Sequence, residues 1–333
     1  MDTVALPRYA EAVKAALLAL GFLPAGLLVA QQSAKQYSVA SYDVNGRRIE
    51  GAGWSELKTP MFQQLNRSMR NINGRVAPSE SVQERVLFQS ATERIVERTV
   101  QRYDYEGRPL PLEKLRIEGR KNRDGSESIV TTLSLQDLQG RMEVRERRST
   151  TAVKSASNES SSTVVERLVA SGFEVVERIR AVESRGEGRL QRDTVTQRKD
   201  LNGRFQDSAR EVIERVKQPG VTTETKTAYE VIGGGGSLQP AMQTVSRTRT
   251  LANNAEVEEI AIHTPWAAGK TAGGAPQLQL SEQWLVERKP GPGNTVVESS
   301  SVSKPTLDVP PRMGAYERIS ETVCSGACKS EEK

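Results

Sequence analysis

Apolar and polar residues alternate in short runs along most of this chain of 333 residues. The stretch "SESIVTTLSLQDL", residues 126–138, shows the pattern most clearly. One face of an extended chain would carry Ile129, Thr131, Leu133 and Leu135, and the other Ser128, Val130, Thr132 and Ser134. A period of two with many β-branched residues predicts a half-buried β-strand. The runs "STVVERLVASG" and "VTTETKTAYEVI" follow the same pattern, which predicts a chain rich in strands.

One turn phrase recurs between these runs. It reads "SYDVNGRRI" at 41–49, "RYDYEGRPL" at 102–110, "LQDLQGRME" at 135–143 and "RKDLNGRFQ" at 198–206. The glycines at 46, 74, 107, 140, 172 and 203 follow one another at intervals of 28, 33, 33, 32 and 31 residues. A nearly constant interval of this size indicates an internal repeat. Because Asn-Gly and Asp-Gly supply the positive φ of tight turns, the phrase is predicted to be a hairpin turn, one per two-strand unit.

Two stretches also fit a helix. Residues 207–217 offer Asp207 as an N-cap, apolar residues at helical spacing and a Pro-Gly stop, and residues 78–101 are similarly ambiguous. Their position within the repeat favours strands. We therefore predict an all-β fold, a long antiparallel meander of repeated β-hairpins that forms an extended or rolled sheet. An outer-membrane barrel is not expected, because neither face of the strands is continuously apolar.

The turn phrase also carries a family resemblance. The spelling "YDxxGR" at Tyr42–Arg47 and Tyr103–Arg108 resembles the YD or Rhs type of bacterial β-repeat. The tyrosine is absent from "QDLQGR" and "KDLNGR", and the interval is longer than those repeats use. The resemblance implies an exported, strand-rich repeat scaffold and brings no catalytic residue with it.

Charge is dense but nearly balanced, with 47 Lys and Arg against 42 Asp and Glu. Glu precedes Arg in strand after strand, at 97–98, 166–167, 177–178 and 214–215. Since neighbours on a strand point to opposite faces, each face can carry cross-strand ion pairs worth roughly 0.2–1 kcal/mol apiece. This predicts a solvated charge ladder, with an ionic binding face as the alternative. Nucleic acid is not an expected partner, because a polyanion binder concentrates one sign of charge.

The N-terminus predicts export. Arg8 and Lys14 precede the uncharged stretch 15–30, which is shorter than a bilayer-spanning helix and is interrupted by Pro24. We read residues 1–30 as a secretory signal peptide cleaved after Ala30, with an uncleaved membrane anchor as the alternative. No later segment is apolar enough to cross a bilayer as a helix, so the mature chain is predicted to be periplasmic or extracellular, with no transmembrane segment.

Composition divides the remaining chain into four parts. Residues 31–75 form an N-terminal segment, residues 76–232 the β-hairpin repeat, residues 233–323 a continuing β region with Gly- and Pro-rich loops, and residues 324–333 a tail with a cysteine pair. In an exported protein, Cys324 and Cys328 are predicted to form a disulfide. A redox role is the alternative, although the usual two-residue spacing is absent.

A search for catalytic and cofactor motifs finds none. His263 is the only histidine, and no nucleophile elbow G-x-S-x-G or set of zinc ligands accompanies it. The stretch "AAGKTAGG" at 267–274 lacks the first glycine of a phosphate-binding loop, since Thr264 stands there. The "DxNG" phrases lack the ligands of a calcium loop. Trp54, Trp266 and Trp284 are too scattered for a stacking platform.

These observations predict a non-catalytic structural or binding scaffold of the bacterial envelope or extracellular space. No catalytic residue, metal or cofactor is assigned, and a protein or a cell-envelope polymer is the expected partner class. Two alternatives stay open: a secreted hydrolase with a pair of carboxylates, and an open-sheet carrier of an apolar ligand. The oligomeric state is not predicted.

Overall fold

The wall of the molecule is one sheet of β-strands. The computed structural model describes residues 33–42, 45–50, 53–70, 75–200, 202–231, 237–251, 255–265, 277–293, 295–306 and 312–326. Its strands are β1 (Ser33–Tyr42), β2 (Arg48–Glu50), β3 (Trp54–Lys58), β4 (Phe62–Arg70), β5 (Val76–Gln89), β6 (Glu93–Arg102), β7 (Glu113–Lys121), β8 (Glu127–Gln136), β9 (Met142–Lys154), β10 (Asn158–Val169), β11 (Gly172–Gly186), β12 (Arg189–Lys199), β13 (Phe205–Gln218), β14 (Val221–Val231), β15 (Leu238–Thr250), β16 (Glu256–Pro265), β17 (Leu278–Pro290), β18 (Val296–Ser303) and β19 (Glu317–Gly326).

The sheet closes into a barrel. From β3 onward each strand pairs antiparallel with the next, and β19 pairs antiparallel with β1 over seven residue pairs, from Lys35–Gly326 to Ser41–Ser320. β2 and β3 both pair with β1, over Ala40–Tyr42 and Ser33–Tyr37 respectively, so together they fill one position in the wall. The barrel therefore has eighteen strand positions. β1 and β19 therefore leave no open seam, and the wall hydrogen bonds continue around the circumference through β3.

The predicted meander of hairpins is confirmed, but the predicted extended or rolled sheet is wrong. The two stretches that also fit a helix are strands in the structure, since residues 78–101 fall in β5 and β6, and residues 207–217 fall in β13. Local periodicity identifies each strand, because a half-buried strand is visible in a few residues. The closing pair joins the two ends of the chain, and no local pattern records it.

Connections of two kinds alternate around the barrel. Those beside the chain ends are short, and this edge is called the terminal rim: 59–61, 90–92, 122–126, 155–157, 187–188, 219–220, 251–255 and 291–295. Those at the opposite edge, called the loop rim, include the longest ones: 43–47, 71–75, 103–112, 137–141, 170–171, 200–204, 232–237, 266–277 and 304–316. All four copies of the turn phrase lie at the loop rim, where they mark four of the nine connections.

Hairpins at the loop rim share one irregularity. In seven of those described, one residue of the second strand is left out of the pairing: Ser79, Arg145, Val176, Ser208, Ala241, Ser281 and Ile319. Such a β-bulge bends the strand and increases its twist. The repeat seen in the sequence is thus a hairpin with a bulge in its second strand.

The turn phrase adopts one geometry at three positions. The Asp200 backbone amide donates to the Arg204 carbonyl at 2.8 Å, and the Gly203 amide donates to the Asp200 carbonyl at 3.0 Å. Equivalent bonds join Asp104 with Arg108 and Gly107, and Asp137 with Arg141 and Gly140. The glycine has φ near +80° in each copy (83°, 81° and 76°), a conformation that an L-residue with a side chain rarely adopts.

Substitution of this glycine should destabilise the fold through the backbone alone. Gly203 has φ +76° and no atom within 4 Å of an added Cβ, so Gly203→Ala is expected to lower the free energy of unfolding by about 1 kcal/mol. Gly186 has equal space around it without a positive φ, so Gly186→Ala should cost nothing or stabilise slightly. Urea unfolding of both variants measures the difference. Equal losses would contradict the assignment of strain to Gly203.

Candidate functional site

The inner face of the barrel is the candidate functional site. Side chains alternate across the wall, and on many strands, such as β6 to β11, those of one set are more buried than those of the other. The buried set includes Val96, Ile117, Ile129, Val165 and Ile213, whereas the other set includes the exposed Val130, Val153, Val182 and Val216. On a closed wall, side chains converge on the concave side. The buried set therefore forms the lumen face, and the alternate set forms the outer face.

A hollow on the lumen face shows this concavity directly. It has a volume of about 330 Å³ and is lined by side chains of β9 to β14, among them Lys154, Ala181, Arg192, Ile213 and Glu224. The register places these lining residues of neighbouring strands on the same side of the wall. The hollow therefore opens on the lumen face.

Ion pairs run across the lumen face from strand to strand. The Glu146 carboxylate accepts hydrogen bonds from Arg148 Nε at 2.6 Å and from Arg167 Nε at 2.8 Å, and its side chain is only 11% exposed. Glu177 accepts from Arg198 Nε at 2.9 Å in the same way. Buried carboxylates that are paired and hydrogen-bonded avoid most of the penalty of desolvation. The lumen face is therefore charged and yet internally satisfied at these positions.

One sector of the lumen face is rich in acidic residues. On β16 to β18, Arg288 contacts Glu298 at 2.7 Å, Glu258 at 3.5 Å and Glu256 at 3.8 Å. Glu258 also accepts a hydrogen bond from Ser246 at 2.7 Å. A single guanidinium thus faces three carboxylates, which leaves this sector with an excess of negative charge. A charged wall of this kind attracts counter-ions from a solution that fills the lumen.

Aromatic side chains divide between the two faces. On the lumen face, Tyr37 and Trp54 stack across β1 and β3 with ring centroids 4.4 Å apart, and Trp284 lies on β17 with its indole N–H buried and without a hydrogen-bond partner. On the outer face, five rings are each approached by a neighbouring Arg at 4.2–5.8 Å: Tyr42, Phe62, Phe173, Phe205 and Tyr229. Except for Phe62, these outer rings lie near the loop rim.

The loop rim presents fixed charges. Asp104 Oδ1 accepts hydrogen bonds from the backbone amides of Glu106 and Arg108 at 2.9 Å, and Oδ2 accepts from Arg108 Nε at 2.9 Å. The Arg108 amide is the largest of the influences that hold the pKa of Asp104 below its ordinary value. Asp137 and Asp200 bond the amides of their own turns in the same way.

The residues singled out from the sequence do not assemble into a reaction centre within the described ranges. His263 lies on β16 with Nδ1 buried and unbonded, and no group of three metal-ligating side chains occurs in the part of the chain that the structure describes. Cys324 lies near the end of β19, is buried, and pairs with Tyr37 of β1. Cys328, the signal peptide 1–30 and the stretch 267–274 lie outside the described residues, so the predicted disulfide and cleavage stay predictions.

Solved structures with a similar fold include an outer membrane protein. No protein-family model matches the chain, and no curated protein matches its sequence. Among solved structures, it is similar to the outer membrane protein OpdK of Pseudomonas aeruginosa, with 9% identity, a TM-score of 0.51, and 89% of this chain and 97% of OpdK covered. Two further P. aeruginosa structures, OccK3 (OpdO) and OccK5 (OpdH), give TM-scores of 0.52 and 0.51 at 9% and 7% identity, with 89% of this chain and 94% and 96% of theirs covered. At these identities the likeness shows the fold alone.

This fold corrects four expectations drawn from the sequence. The soluble scaffold, the periplasmic or extracellular placement, the hydrolase and carrier alternatives, and the absence of any transmembrane segment in the mature chain are wrong for a closed barrel with the fold of an outer membrane protein. The placement and the absence of a transmembrane segment were inferred from the lack of an apolar helical span, and the scaffold and carrier from an open sheet, whereas the strands close into a barrel. The resemblance to YD or Rhs repeats is not tested by these matches.

No helix in the described part of the chain is long and apolar enough to span a membrane.

Two kinds of turn in the sequence distinguish the loop rim from the terminal rim. The Asp-x-x-Gly-Arg phrase marks only loop-rim turns, and the shorter reversals between its copies mark the terminal rim. Alternation of long and short turns is typical of an up-and-down barrel. Which residues of each strand face the lumen could not be assigned, because Glu, Arg, Val and Thr occur on both faces.

The Asp104 turn predicts a pH dependence. Because the folded-state pKa is below the unfolded value, ionised Asp104 stabilises the fold above that unfolded value, near 3.8, and the contribution is lost as the pH falls through the folded pKa. The unfolding midpoints of the parent protein and Asp104→Asn should therefore differ at pH 7 and converge at acid pH. Glu106→Gln, at the tip of the same turn, is the control. A difference that persists unchanged at pH 2 would contradict the assignment.

Proposed function

We propose that this chain forms an outer-membrane channel for small hydrophilic solutes. The observation that carries the proposal is the closed barrel of eighteen strand positions with a charged lumen face. Barrels of 16–18 strands are wide enough to leave an aqueous channel, whereas small barrels are filled by their own side chains. The similarity to the outer membrane protein OpdK supports the same placement.

The lumen chemistry supports a water-filled path. The Glu146 carboxylate and the Arg288 guanidinium are held in ion pairs on the lumen face. Charged groups at such positions are stable only beside water or beside an opposite charge. The main strand-to-strand packing joins neighbours in the wall and, at β13–β15 and β15–β17, next neighbours. Among the described strands, the wall is thus held together by contacts between neighbouring and next-neighbouring strands and not by contacts across the barrel.

The two rims support one orientation. In outer-membrane barrels short turns face the periplasm and longer loops face the exterior. The terminal rim is therefore proposed to be periplasmic and the loop rim external. The outer-face rings of Tyr42, Phe173, Phe205 and Tyr229 then lie near the external membrane interface, where aromatic girdles occur. A predicted signal peptide over residues 1–30 fits export through the inner membrane.

Conductance of the refolded protein tests the proposal. Purified protein inserted in a planar lipid bilayer should give discrete current steps in potassium chloride, because the lumen provides a continuous aqueous path. The same protein denatured before addition is the control. Barrels that insert, keep their β circular dichroism and carry no current would contradict the proposed function.

The acid-rich sector predicts ionic selectivity. Glu258 faces the lumen beside Arg288, while its neighbour Glu259 lies on the outer face and pairs with Arg249. Glu258→Gln should shift the reversal potential in a salt gradient toward weaker cation preference, since charged rings set pore selectivity. Glu259→Gln should leave the reversal potential unchanged. Equal shifts from both substitutions would contradict the assignment of faces.

A further inference from the structure

One strand of the wall has an outer face that is entirely charged. Along β7, Lys114, Arg116, Glu118 and Arg120 alternate with the lumen-side residues Leu115, Ile117 and Gly119. The neighbouring β8 carries only uncharged side chains on its outer face, namely Ser128, Val130, Thr132, Ser134 and Gln136. Other strands carry outer charges too, among them Asp193 and Arg210 on β12 and β13, but those strands also have uncharged outer residues, whereas β7 has none.

The charges extend onto β6 and are exposed. Lys114 pairs with Glu97 at 2.7 Å, Arg120 with Glu93 at 3.4 Å and Arg116 with Glu118 at 2.5 Å. The side chains of Arg116 and Arg120 nevertheless remain 51% and 67% exposed. These six residues, Glu93, Glu97, Lys114, Arg116, Glu118 and Arg120, are called the charged strip.

Lipid is a poor environment for the charged strip. β6 and β7 are ten and nine residues long, and a strand needs about 9–11 residues to cross a bilayer. Arg116 and Glu118 flank the middle residue of β7, Ile117, so neither reaches the membrane interface when the strand spans the bilayer. Charged groups at the midplane of a lipid-facing wall are destabilising. In a membrane-inserted barrel, which this step takes from the proposed function, the charged strip requires a protein cover.

The distribution of charge on β6 and β7 indicates which protein surface covers the charged strip. The outer face of β6 carries only the acidic charges Glu93 and Glu97, whereas that of β7 is mainly basic. In the register Glu97 lies beside Arg116, and Glu93 beside Arg120. A two-fold axis normal to the membrane and placed between β6 and β7 exchanges these positions between two copies. With the axis placed beside the Glu97–Arg116 pair, Glu97 of each copy then faces Arg116 of the other.

We propose that the charged strip is the interface through which two copies of this chain associate in the membrane as a two-fold dimer. The interface is isologous, since the same strip serves both copies. Opposed charges then face each other at matching heights, and lipid is excluded from Arg116 and Glu118. Like charges placed opposite each other would disfavour any other alignment of the strip with itself.

Charge reversal tests the dimer. Glu97→Arg and Arg116→Glu should each weaken self-association by at least about tenfold, because each places like charges across the axis. The double variant exchanges the two signs and should restore association to near the parent level. Asp193→Arg, which breaks the outer-face pair of Asp193 with Arg210 on β12 and β13, is the matched control and should leave association unchanged. Light scattering of the protein in detergent micelles measures the mass.

A cross-link checks the geometry without altering a charge. Thr99 lies beside Lys114 on the outer face, next to the proposed axis, so Thr99→Cys should give a covalent dimer on mild oxidation. Thr225→Cys, on the outer face of β14, should not, and it also controls for the two natural cysteines. Protein that conducts but is monomeric, or that cross-links equally at both positions, overturns the dimer and leaves the channel intact. Parent protein that inserts without conducting overturns the proposed function instead.

Discussion

The hydrogen bonds between β1 and β19 are the constraint on which the rest of the structure depends. Every other pairing in the wall joins strands that are close in sequence, and these alone would leave an open sheet with two unpaired edges. Pairing of Tyr37 with Cys324 and of Val39 with Thr322 converts the meander into a closed wall. Closure removes both edges, and it gives the alternating side chains an inside and an outside.

The hairpin repeat is the structural unit from which the closed wall is built. Each unit contributes two strands, one turn at each rim and, in most units, a bulge toward the loop rim, so the units differ mainly in their side chains. Bending at the bulges increases strand twist, which a sheet needs to curve back on itself. The Asp-x-x-Gly-Arg turn marks where four of the units reverse. A repeat that looks like a scaffold in sequence is therefore the means by which a closed wall is built.

The sequence predicts the strands well and their arrangement poorly, and particular residues show why. The period-two pattern locates β8, and position in the repeat places residues 207–217 in a strand despite their helical spacing. The pairing of Lys35 with Gly326 leaves no trace in any short window, because it depends on the whole meander. The lumen site is equally hidden, since Glu258 and Glu259 are adjacent and chemically identical but lie on opposite faces.

The lack of a continuously apolar strand face led to a sequence-based prediction against an outer-membrane barrel, and the closed wall shows which assumptions weaken that prediction. The prediction assumes that every outer strand must meet lipid, and that charge on a strand needs water. Most outer positions of β8, β14 and β18 are Ser, Thr or Val, while every outer position of β7 is charged and β12 and β13 carry several outer charges. Charge that fills the outer face of one strand and is balanced in sign across its neighbour can be covered by the same strand pair of a second barrel.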